Sequence, residues 1–328
     1  MVWACLLGFA VFAYVVLDGF DLGIGILFPF LENETNRDLA MNSIAPVWDG
    51  NETWLVLGGG GLMAAFPLAF AILMPAFYAP LTVMLLSLVF RGVAFEFRWR
   101  DSRHKKWWDR GFIVGSTVAT FAQGIILGTF IQGIEVTGRR YGGGWFDWLT
   151  PFSVFTGVAL ISGYALLGAA WLILKTEGRL QQRLYRLILP CAIATLSAIA
   201  IVSLWTPWLS DEIADRWFSW PNIAVLWPIP MFVALLGLVL LAGIRRQREY
   251  RLFPIALSLF LLSYAGLGIS MYPYMVPRHF TIHQAAAPDT SLGFLLVGTS
   301  LLLPMILGYT AYAYWVFRGK VTDQEGYH

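Results

Sequence analysis

The segment 17-LDGFDLGIG-25 continues the apolar run 3-WACLLGFAVFAYVV-16 without a break, yet it places Asp18 and Asp21 three residues apart. A carboxylate near the centre of a bilayer costs on the order of 3 kcal/mol on insertion scales. If this stretch spans a membrane, some interaction must offset that cost, or both acids must be protonated or face a polar cavity. Composition supports a membrane: of 328 residues, 58% are hydrophobic, 16% aromatic and only 13% charged, against roughly 25% charged in a soluble domain. The net charge of +2 points to no nucleic-acid partner. No basic segment precedes the first apolar run, and that run is too long and aromatic for a cleaved leader. Cys5 and Cys191 both fall in apolar stretches, which argues against a disulfide framework or a cysteine metal cluster.

A span needs about 20 mostly apolar residues. The runs at 3–30, 54–73, 75–95, 112–133, 152–174, 187–209, 225–244, 253–275 and 291–317 qualify, with a tight hairpin expected at 73-LMPAF-77. Pro151, Pro190 and Pro254 are placed near span ends, where a missing N–H costs little. The basic residues test the count. Seventeen of the 22 Lys and Arg fall in loops after odd-numbered spans, among them Arg98, Arg100, Arg103, Lys105, Lys106 and Arg110. Loops after even-numbered spans hold only Arg139, Arg140, Arg216 and Arg278, and Arg91 lies within a span. Because positive loops stay cytoplasmic, the expectation is an all-α bundle of nine transmembrane helices, N-terminus outside and C-terminus cytoplasmic. Residues 1–328 form a single transmembrane domain in this reading.

Asp18 then lies about 22 Å along the first helix from Trp3, in the inner half of the membrane, with Asp21 one turn further on the same face. Gly19 and Gly23 form a small-xxx-small pair that admits a neighbouring helix. The stretch 42-NSIAPVWDGNETWLVLGGGG-61 breaks the backbone at Pro46 and Gly50 beside Trp48 and Asp49, and puts Asp49 and Glu52 at the cytoplasmic mouth. The third span ends in 88-LVFRGVAFEFRWR-100, which brings Arg91 and Glu96 to the same level. Asp18, Asp21, Asp49, Glu52, Arg91 and Glu96 therefore converge on one side, with Arg91 in reach of Asp49 or Glu96. Two readings stay open for these residues: polar packing with snorkelling Arg, or a functional path. The run 58-GGGG-61 reads as close helix packing, since a phosphate loop needs a Lys that is missing. None of His104, His279, His283 and His328 falls within a span, so the chain offers no His to a membrane haem. The spacing 279-HFTIH-283 suits a metal only if it is helical.

The motifs 18-DGFDLGIG-25, 42-NSIAPVWDGNETWL-55 and 87-SLVFRGVAFEFR-98 resemble subunit II of the cytochrome bd-type quinol oxidases, as do 271-MYPYMVPRHFTIHQAAAP-288 and 304-PMILGYTAYAYWVFRGKV-321. These later motifs lean toward the cyanide-insensitive branch. The resemblance covers essentially the whole chain. It implies a multi-pass subunit in the bacterial inner membrane that binds no haem or metal itself. Its partner, subunit I, would carry haems b and d, oxidise quinol and reduce oxygen to water. A small single-helix subunit and a structural quinone occur in some members. The resemblance further implies that the chain stabilises subunit I, has no activity alone and helps bring protons in from the cytoplasm. It places Asp49 on that path near the subunit interface and maps Asp18 and Asp21 onto the acids of the first helix. The rival reading from the residues alone is a proton-coupled secondary transporter, which also uses intramembrane acids. No inverted repeat or pair of broken midplane helices is visible.

Overall fold

Long apolar runs with few internal breakers make the chain almost wholly helical. The computed structural model describes residues 1–321. In order, it forms α1 (Val2–Leu27), α2 (Glu34–Asn42), α3 (Trp48–Ala65), α4 (Pro67–Ala76), α5 (Tyr78–Arg100), α6 (Lys105–Gln132) and α7 (Pro151–Lys175). There follow α8 (Gly178–Trp205), α9 (Asp211–Phe218), α10 (Asn222–Leu226), α11 (Pro228–Arg245), α12 (Glu249–Met271), α13 (Ile282–Ala285) and α14 (Asp289–Val316). Two antiparallel hairpins, β1 (Val136–Thr137) with β2 (Arg140–Tyr141) and β3 (Tyr274–Val276) with β4 (Phe280–Thr281), and short 3₁₀ turns at Phe28–Phe30, Ser102–His104 and Thr206–Leu209 join the helices. Among the described residues, eight helical segments are long and apolar enough to cross a membrane.

The expected span at 54–73 is not one helix. Pro67 has no N–H to donate and disfavours helical backbone at the residue before it, and Phe66 accordingly sits at φ −134°, ψ 62°. α3 ends there after 18 residues, about 27 Å of helix. The expected tight hairpin at 73–77 is replaced by α4. Its Ala69, Ile72, Leu73 and Ala76 pack with Ile134, Val276 and Ala285 of the hairpin region, and Ala287 N donates to Ala65 O at 2.9 Å. Several helices also outrun their apolar stretches. α6 begins at Lys105 and α8 at Gly178, so Pro190 lies inside α8 and Pro254 inside α12. Backbone hydrogen bonding does not stop where hydrophobicity does. Only Pro151 keeps its expected place, at the first turn of α7 behind a Thr150–Ser153 capping box.

α1 and α7 form the centre. α1 packs on α3, α6 and α7, while α7 also meets α8 and α12. The glycines of the opening segment explain the close crossing. A Cβ on Gly23 would collide with the Tyr164 carbonyl and come within 2.9 Å of Gly168 N, and one on Gly19 would meet the Tyr164 ring at 2.8 Å. Gly25 faces Ser116 of α6 in the same way. The run 58–61 behaves differently from expectation. Gly58 and Gly61 face α1 at ordinary contact distance, but Gly59 and Gly60 have nothing within 4 Å, because four consecutive helical residues point in four directions. Gly23→Leu is therefore expected to abolish accumulation of the chain in membranes, while Gly59→Ala leaves it unchanged. Immunoblots of membrane fractions check both, and equal accumulation would refute the crossing.

Candidate functional site

The acids of α1 lie far from the hairpin end of the bundle. Trp3 Nε1 donates to Leu292 O there, and Asp18 is four turns further along the helix. Asp18 is fully buried, and Arg91 of α5 is 1% exposed. The two form a buried ion pair through Arg91 Nη1 and Asp18 Oδ1. Arg91 Nη2 lies 3.1 Å from Glu52 Oε1 of α3, off hydrogen-bond geometry. The guanidinium is thus shared between a buried aspartate and a partly exposed glutamate. Gly115 permits this geometry, because a Cβ there would come within 2.9 Å of Arg91 N. Trp48 closes the other side. Its ring is 5.8 Å from the Arg91 guanidinium carbon, a cation–π distance, and 5.0 Å from the ring of Phe95.

Asp21 is also fully buried but has different partners. Its Oδ2 accepts from Asn51 Nδ2 at 2.8 Å, which also donates to Leu17 O at 3.3 Å. Asn51 Oδ1 accepts from the Tyr314 hydroxyl at 2.9 Å. One turn before Asp18, Tyr14 accepts from Gln123 Nε2 at 2.7 Å, and Gln123 Oε1 accepts from Tyr164 at 2.8 Å. Polar groups from α1, α3, α5, α6, α7 and α14 therefore meet in two adjoining sets, one around Asp18 and one around Asp21. Asp18 Oδ2 and Asp21 Oδ1 have no hydrogen-bond partner among the described residues, which leaves each carboxylate acceptor capacity that the protein does not use.

Four of the six expected ionisable groups come together: Asp18, Asp21, Glu52 and Arg91. Asp49 is exposed in the first turn of α3, where an acid suits the helix dipole, three residues from Glu52. Glu96 is half-buried on α5. Neither side chain has a hydrogen bond or ion pair among the described residues, so the expected pairing of Arg91 with Asp49 or Glu96 is replaced by Asp18 and Glu52. The backbone break is also narrower than expected. It spans the turn at 43–47, and the helix resumes at Trp48, so Gly50 lies within α3. Asn51, Tyr14, Gln123, Tyr164 and Tyr314 were not legible as site residues. A Gln at the middle of the apolar run 112–133 and an Asn beside two acids are the signals that point to two of them.

Arg98, expected in a basic loop, is instead 1% exposed. It pairs with Asp109 at 2.6 Å and Asp38 at 2.5 Å, and Arg37 reaches Asp109 at 2.8 Å. This network docks α2 across α5 and α6, directly ahead of the turn that leads to Trp48. Lys105 also contacts Glu34 and holds its carboxyl below the usual carboxylate range. That contact is intact at neutral pH and is lost as pH falls through the lowered value; being exposed, it contributes little. Arg98→Ala removes the buried guanidinium that joins Asp38 of α2 to Asp109 of α6 and leaves only the more exposed Arg37 and Lys105 contacts, so limited proteolysis should cut α2 faster than in Lys105→Ala. Equal cleavage would show that α2 is held by other contacts.

Histidines take no part in this region. His279 lies in the turn before β4 with Nε2 3.1 Å from Ile134 O, and His283 lies in α13, so the two share no helical face. His104 ends a short 3₁₀ turn against Asp101, and His328 lies outside the described residues. Among the described residues, no three His, Cys, Asp or Glu side chains gather as a metal-ligand set. A cavity of about 490 Å³ opens among the hairpin-end loops, beside Glu135, Tyr141 and Asp147. Thr129 of α6 and Ala76 of α4 form part of its wall.

The fold and this network define a polytopic helical membrane protein with paired acids buried in its first helix. The chain belongs to the family of cytochrome bd terminal oxidase subunit II, whose family model matches residues 1–317. It is 30% identical to cytochrome bd-I ubiquinol oxidase subunit 2 of Escherichia coli K12, over 99% of this chain and 95% of that protein. It is 28% identical to cytochrome bd ubiquinol oxidase subunit 2 of Bacillus subtilis 168, over 98% and 97%. The solved bd oxidase of Geobacillus thermodenitrificans contains a chain of the same fold, at 17% identity with a TM-score of 0.74, covering 96% of this chain and 97% of that one. The protein is thus a multi-pass subunit of a quinol oxidase complex, an oxidoreductase of the bacterial inner membrane.

Proposed function

We propose that the chain is a haem-free subunit that supports a haem-bearing subunit I and carries protons from the cytoplasmic face toward the partner's oxygen-reducing centre. In this reading the whole chain acts as one membrane unit and crosses nine times. α3 makes the second crossing and α4 caps the outer end, with the N-terminus outside and the C-terminus inside. The observation that carries the reading is the buried Asp18–Arg91–Glu52 arrangement. It lies one helical turn from exposed Asp49, at the end of the bundle where Lys and Arg concentrate.

Each group has a distinct part. Asp49 takes up protons at the surface, and Glu52 stands between water and the guanidinium. Arg91 keeps Asp18 paired in a medium that would otherwise exclude its charge. Asp21, held by Asn51, offers a second carboxylate three residues further along α1. Trp48 shields the guanidinium from the apolar surroundings. Glu96, apart from the network, has no step in this path. The quinol named for the relatives is the electron donor of the complex and is oxidised on the partner subunit.

A visible spectrum and a subunit gel of the detergent-purified complex test the reading. A haem-rich second chain is expected to come through purification with this one, and the chain expressed alone is expected to be colourless. Haem in the isolated chain that disappears on replacing His279 or His283 would overturn the haem-free assignment. Purification without any haem-bearing partner would favour a proton-coupled carrier.

A further inference from the structure

α14 buries none of its residues, yet it delivers Tyr314 to Asn51 beside Asp21. The anchor that holds it lies just past its last turn. Lys175, the final residue of α7, is 5% exposed. Its ammonium donates to the carbonyl oxygens of Phe317, the C-cap of α14, and Gly319, the latter at 3.2 Å. Among the described residues it has no carboxylate partner. A buried ammonium is here committed to the carbonyls at a helix C-terminus, where the dipole is negative. The neighbouring backbone closes the junction. Val321 N donates to Lys175 O at 2.9 Å, and Lys320 Nζ donates to Thr176 O at 3.1 Å and Glu249 Oε2 at 3.0 Å.

The same lysine reaches the acid network through one aromatic ring. Its ammonium lies 4.9 Å from the Trp171 ring centroid. Trp171 stacks on Phe20 at 4.4 Å and meets Tyr314 edge-on at 6.0 Å. Tyr314 in turn decides which way the Asn51 amide points. Its hydroxyl is the side-chain donor to Oδ1, which leaves Nδ2 to face Leu17 O and Asp21 Oδ2.

We propose that Lys175 is a positioning residue: its ammonium anchors the C-terminal end of α14, and so sets Tyr314 against Asn51 and the Asn51 amide toward Asp21. The anchor stands on geometry alone, and its effect on turnover rests on the proton path proposed above.

The test uses the intact complex carrying Lys175→Met, Lys175→Arg, Tyr314→Phe, or Lys175→Met with Tyr314→Phe. Backbone amide exchange over 310–319 and oxygen uptake per haem are measured on each. Met keeps the stem against Trp171 but loses the donors, so exchange is expected to rise about tenfold. Arg still donates to both carbonyls and is expected to stay within about twofold of wild type. Oxygen uptake should fall by similar factors in Lys175→Met and Tyr314→Phe, with no further fall in the double variant. If Lys175→Met does not assemble, Lys175→Gln, which keeps a neutral donor, takes its place. Unchanged exchange on loss of the ammonium overturns the anchor whatever the turnover. Losses that multiply in the double variant overturn the link to Tyr314. Raised exchange with full turnover in every variant sustains the anchor and instead removes Asp21 and Asn51 from the proton path.

Discussion

Arg91→Ala is expected to abolish accumulation of haem-loaded complex, whereas Arg248→Ala, on an exposed side chain before α12, leaves it near wild type. Arg91 is 1% exposed and is shared between Asp18 and Glu52. Removing one partner of a buried pair leaves an uncompensated charge at a cost of about 3–5 kcal/mol, a large part of a typical stability. The loss of Arg91 strands Asp18, which is fully buried within the bundle. Combining Arg91→Met with Asp18→Asn removes both charges and is expected to recover assembly while turnover stays low. The measurement is haem absorbance per milligram of membrane protein. Equal yields from Arg91→Ala and Arg248→Ala would mean that Asp18 is stabilised by other contacts.

Asp49→Asn is expected to assemble with an unchanged haem spectrum and to lose oxygen uptake. Asp49 is exposed and forms no ion pair among the described residues, so the isosteric amide disturbs no packing but cannot titrate. The loss should be about tenfold, below the 10²–10⁴ of a group at the reacting atoms, because water can deliver some protons around it. Asp49→Glu keeps the carboxyl and, at an exposed position, has room for the extra methylene, so it should retain more activity. Oxygen uptake per haem decides between these outcomes. Near wild-type turnover in assembled Asp49→Asn would move the point of uptake to Glu52, the next acid inward. A defect in Asp49→Glu larger than in Asp49→Asn would make Asp49 an interface residue.

Much of this site was visible in the residues. Two acids one turn apart in an apolar helix needed a partner, and Gly19 and Gly23 marked the face where a helix approaches. Asp18, Asp21, Glu52 and Arg91 do meet. The partner of Arg91 was misread because spacing along the chain gives depth in the membrane but not direction around a helix. Asp49 and Glu96 share its level, but the rotations of α3 and α5 turn Glu52 rather than either of them toward the guanidinium. Arg98 was misplaced for the opposite reason. A charge in a basic stretch reads as solvated, and only the docking of α2 carries Asp38, and the return of α6 carries Asp109, onto it.

The sequence alone determined that the chain is a helical membrane protein of this family. The cost of leaving peptide groups unbonded in hydrocarbon compels apolar runs to be helices, and the long motifs carry the family. It determined too that acids lie in the first helix. Tertiary structure decided which residues complete the site. Asn51, Gln123, Tyr164 and Tyr314 sit between 30 and 263 positions from their hydrogen-bond partners, and no local preference encodes such meetings. It also decided that α3 ends at Phe66 and that the Lys175 ammonium meets the carbonyls at the end of α14. A hydrogen bond or ion pair between distant helices depends on their packing angle and rotation, which the close contacts at Gly23, Gly115 and Gly168 set only when the whole bundle is assembled.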